Sequence, residues 1–152
     1  MTVSILIVNW NSKDLLRKCL FSIGDTCADL SLQIVVVDGG SFDGCAEMLA
    51  NEFPHVEFVQ SNDNIGFGRA NNLGLARVTG DVVWVLNPDT EICPGALQTL
   101  LSELERLPDA GIVSPRLLNT DGTLQSSVHA LPNPVLQAID SEILRPPPGS
   151  LK

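Results

Sequence analysis

Apolar positions along the chain follow two alternating rhythms. Apolar runs rich in β-branched residues predict strands at 3–8 and 32–37, both read as buried, a short third strand at 56–59 and a fourth at 82–86. Between them the spacing changes to that of amphipathic helices. Leu15, Leu16, Cys19, Leu20 and Ile23 recur after Ser12, a candidate N-cap, and Ala46, Met48, Leu49 and Phe53 recur before Pro54. Residues 65–78 read as a third helix despite Gly66, Gly68 and Gly74, and Pro94 opens a fourth that runs to about Leu107. A fifth strand is expected at 111–114, then a hairpin at 117–125 turning on Asp121-Gly122, and a last helix at 135–144. Strands alternating with helices predict an α/β fold, three layers α/β/α around a mainly parallel sheet.

This order makes the strand ends the place to look for chemistry, because ligands of such sheets bind beyond the carboxyl ends of the strands. Polar clusters fall there: residues 9–12, 38–44 and 87–90 each follow a strand. Asp89 is a hard oxygen ligand suited to Mg²⁺ or Mn²⁺ bound to a diphosphate, and Asn87 offers a neutral oxygen two residues earlier. The same tetrapeptide also reads as a strand-to-helix connection in which Asp89 or Thr90 caps. Asp38 either accepts hydrogen bonds from a base or ribose, or starts the Gly39-Gly40 turn; Asp43 reads as a helix-start carboxylate. In 64–74, three glycines each cost roughly 1 kcal/mol relative to Ala. They allow either a ligand near the backbone, with Arg69 or Asn72 reaching toward it, or close packing of helix on sheet through Gly68 and Gly74.

Charge narrows the ligand. The chain of 152 residues carries 9 basic and 18 acidic side chains, a formal net charge of −9, and lacks the clustered Lys and Arg that nucleic-acid binding requires. An anionic ligand therefore needs a divalent cation or backbone N–H groups as intermediary. Cys19, Cys27, Cys45 and Cys93 form no zinc-type spacing; Cys19 and Cys45 read as buried apolar residues in helices. His55 reads as a surface residue, and His129 as a loop residue or a contact to a donor diphosphate. Trp84 reads as core and Trp10 as a wall of a ligand cleft. No apolar run approaches transmembrane length and no signal-peptide pattern opens the chain, so the expected location is cytoplasmic.

Taken in order, Val3-Ser4-Ile5-Leu6-Ile7-Val8-Asn9-Trp10-Asn11, Val35-Val36-Val37-Asp38 with Ser41 and Asp43-Gly44, Asn64-Ile65-Gly66-Phe67, Ala70-Asn71-Asn72-Leu73-Gly74, Leu86-Asn87-Pro88-Asp89-Thr90 and the 117–125 segment resemble the family 2 glycosyltransferases, especially a bacterial rhamnosyltransferase-like branch. The resemblance implies a GT-A fold that binds a nucleoside-diphosphate sugar (dTDP- or UDP-linked) with Mg²⁺ or Mn²⁺. It further implies inverting transfer of the sugar to a glycan or lipid-linked acceptor in cell-surface polysaccharide synthesis, at the inner membrane face. The residues it assigns to the donor are Asn9, Asn11, Asp38, Ser41, Asn64, Gly66, Arg69, Asn72 and Asn87, with Asp89 on the metal.

Two positions depart from that pattern. Gly39 stands where the family usually has Asn. The later acidic segment that supplies the family's base has no counterpart before Lys152, Glu142 being a lone carboxylate. Residues 1–134 are thus expected to form the donor-binding portion, with 135–152 a helix and Pro-rich tail where the chain is cut short, and exposed apolar surface is expected to favour self-association. The alternative is a non-catalytic sugar-nucleotide-binding or interaction module of the same fold. A phospho-acceptor domain using Asp38 is disfavoured, since Asn9, Trp10 and Asn11 replace the acidic residues it needs beside the first strand.

Overall fold

A computed structural model describes residues 1–126. The chain divides into two compact units, Met1–Arg106 and Leu107–Lys152. The first unit holds β1 (Val3–Asn9), α1 (Lys13–Thr26), β2 (Leu32–Asp38), α2 (Cys45–Glu52), β3 (Glu57–Gln60), α3 (Phe67–Leu75), β4 (Val82–Leu86) and α4 (Ala96–Arg106). The four strands are all parallel, in the order β3-β2-β1-β4. The strands lie within one or two residues of the apolar runs that predict them.

Alternation of side chains along each strand sorts the core into two layers. Val3, Ile5 and Ile7 of β1 with Ile34 and Val36 of β2 pack against α1, α2 and α4, joined by Leu16, Cys19, Ile23, Met48, Leu49 and Leu97. Leu6, Val35 and Val37 face the opposite way, onto Ala70 of α3. Helices on both faces give the three-layer α/β/α architecture. Each fully buried Val, Ile or Leu side chain contributes about 1.5–3 kcal/mol, so the two interior strands are the principal source of stability. Leu15, counted in the α1 stripe, is in fact exposed, and Cys45 takes the buried position at the start of α2.

Two helix boundaries differ from the expectation for identifiable reasons, while α1 starts where expected with a different cap. Ser12 occupies the N-cap of α1 but makes no side-chain cap; its hydroxyl donates to Trp10 O, while Asp43 Oδ2 accepts the Lys13 N–H at 2.8 Å. Asp43 Oδ1 also accepts the Cys45 N–H at 3.1 Å, so one carboxylate serves the first turns of α1 and α2. The 65–78 helix contracts to α3, because Gly66 has φ 80° and Asn64 Oδ1 accepts its N–H. α4 starts at Ala96, after Gly95 at φ 78°, and not at Pro94.

In the second unit the expected strand at 111–114 does not form. Gly111 and Pro115 bracket the run, Ile112 is exposed, and it pairs with no strand among the described residues. The hairpin does form. Leu118 bridges Leu124 antiparallel, Gly122 takes the left-handed conformation at φ 81°, and Asp121 Oδ1 accepts from both the N–H and hydroxyl of Thr123. The helix expected at 135–144, the tail that follows, His129 and Glu142 lie outside the described residues. Among the described residues no helix is long and apolar enough to cross a membrane.

The two α3 glycines are not equivalent. A Cβ on Gly74 would overlap Leu6 Cδ1 and stand 3.0 Å from Val37 Cγ2, whereas one on Gly68 would meet nothing within 4 Å. Gly74→Ala is therefore expected to lower stability by about 1–3 kcal/mol through overpacking. Gly68→Ala is expected to raise it by about 0.5–1 kcal/mol by lowering the entropy of the unfolded chain. Urea unfolding of the two variants checks both signs.

Candidate functional site at the carboxyl edge of the sheet

The parallel register sets the site. Asn9, the last residue of β1, pairs with Asp38, the last of β2, which pairs in turn with Gln60, the last of β3. Three polar side chains thus stand in a row across the strand ends. Asp38 is fully buried. Its Oδ1 accepts from Asn9 Nδ2 at 2.8 Å and Ser41 Oγ at 2.6 Å, and its Oδ2 from Ser41 N at 2.8 Å and Gln60 Nε2 at 3.2 Å. A buried carboxylate needs such donors. The turn-starting role read for Asp38 is present, its carboxylate folding residues 38–41 onto itself.

Ser41 and Asn11 extend this row into the loop after β1. Ser41 Oγ accepts the Asn11 N–H at 2.7 Å, and Asn11 Oδ1 accepts the Phe42 N–H at 3.0 Å. Asn11 has φ 48°, a left-handed conformation that Asn tolerates better than most residues. Gly40, at φ 75°, lies where a Cβ would come within 3.0 Å of Asn62 O, so the chain passes close there only because it carries no side chain. Four predicted site residues, Asn9, Asn11, Asp38 and Ser41, therefore form one hydrogen-bonded unit. Asn9 Oδ1 is the exception within it, buried and without a partner among the described residues.

Beside this unit lies a cleft of about 210 Å³. Trp10 and Phe67, 53% and 59% exposed, give it aromatic walls, and Val8, Ile65 and Ala70 add apolar surface. Asn9, Asn64, Gly39 and Gly66 complete the lining, so four of the predicted residues, Asn9, Trp10, Asn64 and Gly66, meet here. Gly39 holds it open: a Cβ there would rest against Trp10 Cδ1 at 3.5 Å and Asn64 Cα at 3.6 Å, in ordinary contact, with any longer side chain extending from that point. Phe67 and Gly39 were not singled out as lining from the sequence. An aromatic residue directly after a glycine turn, at a helix start, was the available signal.

Arg69 and Asn72 are exposed on α3 and do not line the cleft. Asn87 and Asp89 are exposed at the end of β4, which pairs with β1. The loop they occupy is folded by Thr90, whose hydroxyl donates to Asn87 O at 2.7 Å. Since α4 begins seven positions after Asp89, neither Asp89 nor Thr90 caps it. The Asp89 carboxylate makes no hydrogen bond among the described residues. No three His, Cys, Asp or Glu side chains converge as a cation cage among those residues. A Mg²⁺ or Mn²⁺ ion carried by a diphosphate needs only one or two protein carboxylates, and Asp89 with an oxygen from Asn87 fits that smaller share.

Two buried thiols border these loops. The Cys45 thiol, 3.4 Å from Asn9 Nδ2, is pushed up to about 12 by burial and then by the negative charges of Asp38 and Asp43. Cys19 is pushed up to about 11, chiefly by burial, partly offset by its hydrogen bond to Thr90, with Asp89 and Glu91 adding to the rise. Both are buried, protonated thiols at neutral pH, in the buried helical positions the sequence suggested. Cys27 is also buried, and Cys93 is exposed.

Comparison with known proteins places these features in context. Residues 4–146 match the family described as Glycosyl transferase family 2. An N-acetylglucosaminyl-diphospho-decaprenol L-rhamnosyltransferase of Mycobacterium tuberculosis is 28% identical over 113 residues, 67% of this chain and 37% of that protein. An undecaprenyl-phosphate 4-deoxy-4-formamido-L-arabinose transferase of Klebsiella pneumoniae is 30% identical over 141 residues, 89% of this chain and 43% of that one. The chain thus spans about two fifths of the length of these relatives. Among solved structures, the mannosyltransferase PcManGT of Pyrobaculum calidifontis with GDP-Man and Mn²⁺ superposes with TM-score 0.60 at 24% identity, covering 67% of this chain and 32% of that one. S. aureus TarS 1-349 with UDP gives 0.62 at 20% identity, covering 70% and 32%. Both share the fold.

Two outcomes follow from the buried row. Asp38→Ala removes the carboxylate that Ser41 N, Ser41 Oγ and Asn9 Nδ2 donate to and is expected to cost about 2–3 kcal/mol in denaturant unfolding. The thiol effect has the opposite dependence from a carboxylate. Cys45 keeps its proton in the folded chain after the unfolded chain, at about 9.0, has lost it. Its contribution is therefore complete below that value and fades as pH climbs toward about 12. Thermal midpoints should fall through this alkaline window, and the slope should be shallower in Cys45→Ala.

Proposed function

Because the chain belongs to the family 2 glycosyltransferases, we propose that its Met1–Arg106 unit binds a nucleoside-diphosphate sugar, dTDP- or UDP-linked, for transfer to an acceptor hydroxyl. The observation that carries this reading is the adjacency of two different surfaces at one sheet edge. The half-exposed aromatic cleft after β1 suits a planar base, and the exposed Asp89 after β4, the neighbouring strand, suits a cation on a diphosphate. A chain of net charge −9 gains from such a division, since its ligand's apolar end is met by rings and its anionic end by a metal.

In this reading Trp10 or Phe67 stacks on the base, and Asn64 and the backbone at Gly39 and Gly66 fix its edge. Asn9, Asn11, Asp38 and Ser41 keep the cleft in shape from within the protein, and Arg69 and Asn72 on α3 lie nearer the ribose and phosphates. Asp89 and Asn87 hold Mg²⁺ or Mn²⁺. When bound, that ion supplies stabilisation of the negative charge on the departing diphosphate. Displacement at the anomeric carbon by an acceptor hydroxyl on the opposite face would invert the configuration, and the hydroxyl proton would pass to a base that none of the residues assigned here supplies. The two relatives are named for N-acetylglucosaminyl-diphospho-decaprenol and undecaprenyl phosphate, both polyprenyl lipids. They support a lipid-linked glycan acceptor here, and with it a cytoplasmic position at the inner membrane face.

The test is calorimetric, with the two surfaces read separately. Uridine or thymidine without metal reports the cleft, and Trp10→Ala is expected to weaken it about tenfold through lost stacking. UDP or dTDP reports the whole site: Mn²⁺ should tighten one of them at least about tenfold, and Asp89→Ala should abolish that gain while nucleoside affinity stays unchanged. Absence of metal-dependent binding for both nucleotides, with Asp89→Ala indistinguishable from the parent chain, would sink the proposal. Binding without sugar transfer to any acceptor would favour the non-catalytic module.

A further inference from the structure

The exposed Asp89 sits in a loop that helix α1 holds at both ends. On one side, Cys19 Sγ lies 3.9 Å from Asn87 O and 3.8 Å from Thr90 Oγ1. Thr90 gives its own hydroxyl proton to Asn87 O at 2.7 Å, so the thiol hydrogen is shared between these two oxygens. On the other side, Ser22 Oγ accepts the Ile92 N–H at 2.9 Å. The Ser22 hydroxyl proton goes to Cys19 O at 2.7 Å, which fixes the rotamer that presents its lone pair to Ile92.

A serine that bonds the carbonyl three residues back is common in helices and by itself means little. Thr26 makes the equivalent local bond to Ser22 O. What distinguishes Ser22 is its second bond, across 70 positions of sequence, to a backbone N–H of the loop. Cys19 and Ser22 are one helical turn apart on α1, and the segment they grip runs from Asn87 to Ile92 with Asp89 inside it. The buried side chains of Leu86 and Ile92 anchor the same segment to the core beneath.

Resting on the metal role assigned above to Asp89, we propose that Cys19 and Ser22 are positioning residues for it. They order the backbone of 87–92 before the ligand arrives, so that a site with one carboxylate need not lose loop entropy on binding. Neither residue touches donor or metal. Their contribution is to the metal-dependent part of the affinity and not to the base cleft, which is built from other elements.

Amide hydrogen exchange on the ligand-free chain tests the grip directly. In Ser22→Ala the Ile92 amide should exchange about five- to tenfold faster, with amides of β1 and β2 unmoved. Cys19→Ala should accelerate Thr90 by a smaller factor. The consequence is read by titration: Ser22→Ala should reduce the Mn²⁺-dependent gain in UDP or dTDP affinity about three- to tenfold, leave uridine or thymidine binding unchanged, and be rescued by Ser22→Thr, which keeps the hydroxyl. Equal losses with and without metal, or faster exchange with the metal gain intact in both alanine variants, would overturn the positioning role. A parent chain with no metal gain at all would instead remove the premise about Asp89, a failure visible before any variant of α1 is made.

Discussion

Burial of one carboxylate at the end of an interior strand organises the working edge of this domain. Asp38 has no access to solvent, so its four acceptor sites must be met from within, and the parallel register brings Asn9 and Gln60 to either side of it. The remaining two donors come from Ser41, which obliges the chain to turn sharply after β2. That turn then delivers Ser41 to Asn11 and Asp43 to the starts of both α1 and α2. The loops after two neighbouring strands thus have one common support, and the cleft beside them inherits its shape from it. Breaking a buried, hydrogen-bonded charge is costly because the donors left behind are stranded. Geometry at this edge is therefore tied to global stability.

Much of this was legible in the sequence, and the limits follow from physics. The strands were readable because runs such as Ile34 to Val37 have no polar position that could face water. Asp43 was readable as a helix-start carboxylate from its place before a helical run. Asp38 was not resolvable between ligand and turn, since both roles demand an acceptor at a strand end and only the distance to Ser41 and Gln60 separates them. Gly68 and Gly74 carry the same residue type six positions apart, yet only Gly74 faces Leu6. The expected strand at 111–114 failed for a related reason. A strand requires a neighbour, and two apolar residues between Gly111 and Pro115 do not specify one.

The candidate site residues divide in the same way. Those fixed by register, Asn9, Asp38 and their partners, were placed by the sequence because strand ends are visible in a hydrophobicity pattern. Residues defined by contact across the fold were not. Phe67 lines the cleft because Gly66 adopts φ 80° and turns the chain into α3 there, and Ser22 meets Ile92 only through tertiary packing. The geometry is what separates the residues lining the cleft from Arg69, Asn72, Asn87 and Asp89, which stand outside it.

Helix α1 connects these parts. Its first turn is held by Asp43 from the loop after β2, Arg17 pairs with Glu52 at the end of α2, and its middle turn holds the loop after β4 through Cys19 and Ser22. The surface pair Arg17–Glu52 adds little energy by itself. The two loop attachments matter more, because each joins loop backbone at the carboxyl edge of the sheet to a helix whose buried face is anchored by Leu16, Leu20 and Ile23. A displacement of α1 would therefore move the Asp38 turn and the Asp89 loop together. In the proposed reading, base recognition and cation placement are made by different residues that share one rigid element, and a sugar nucleotide held at both ends at once would gain from that shared reference.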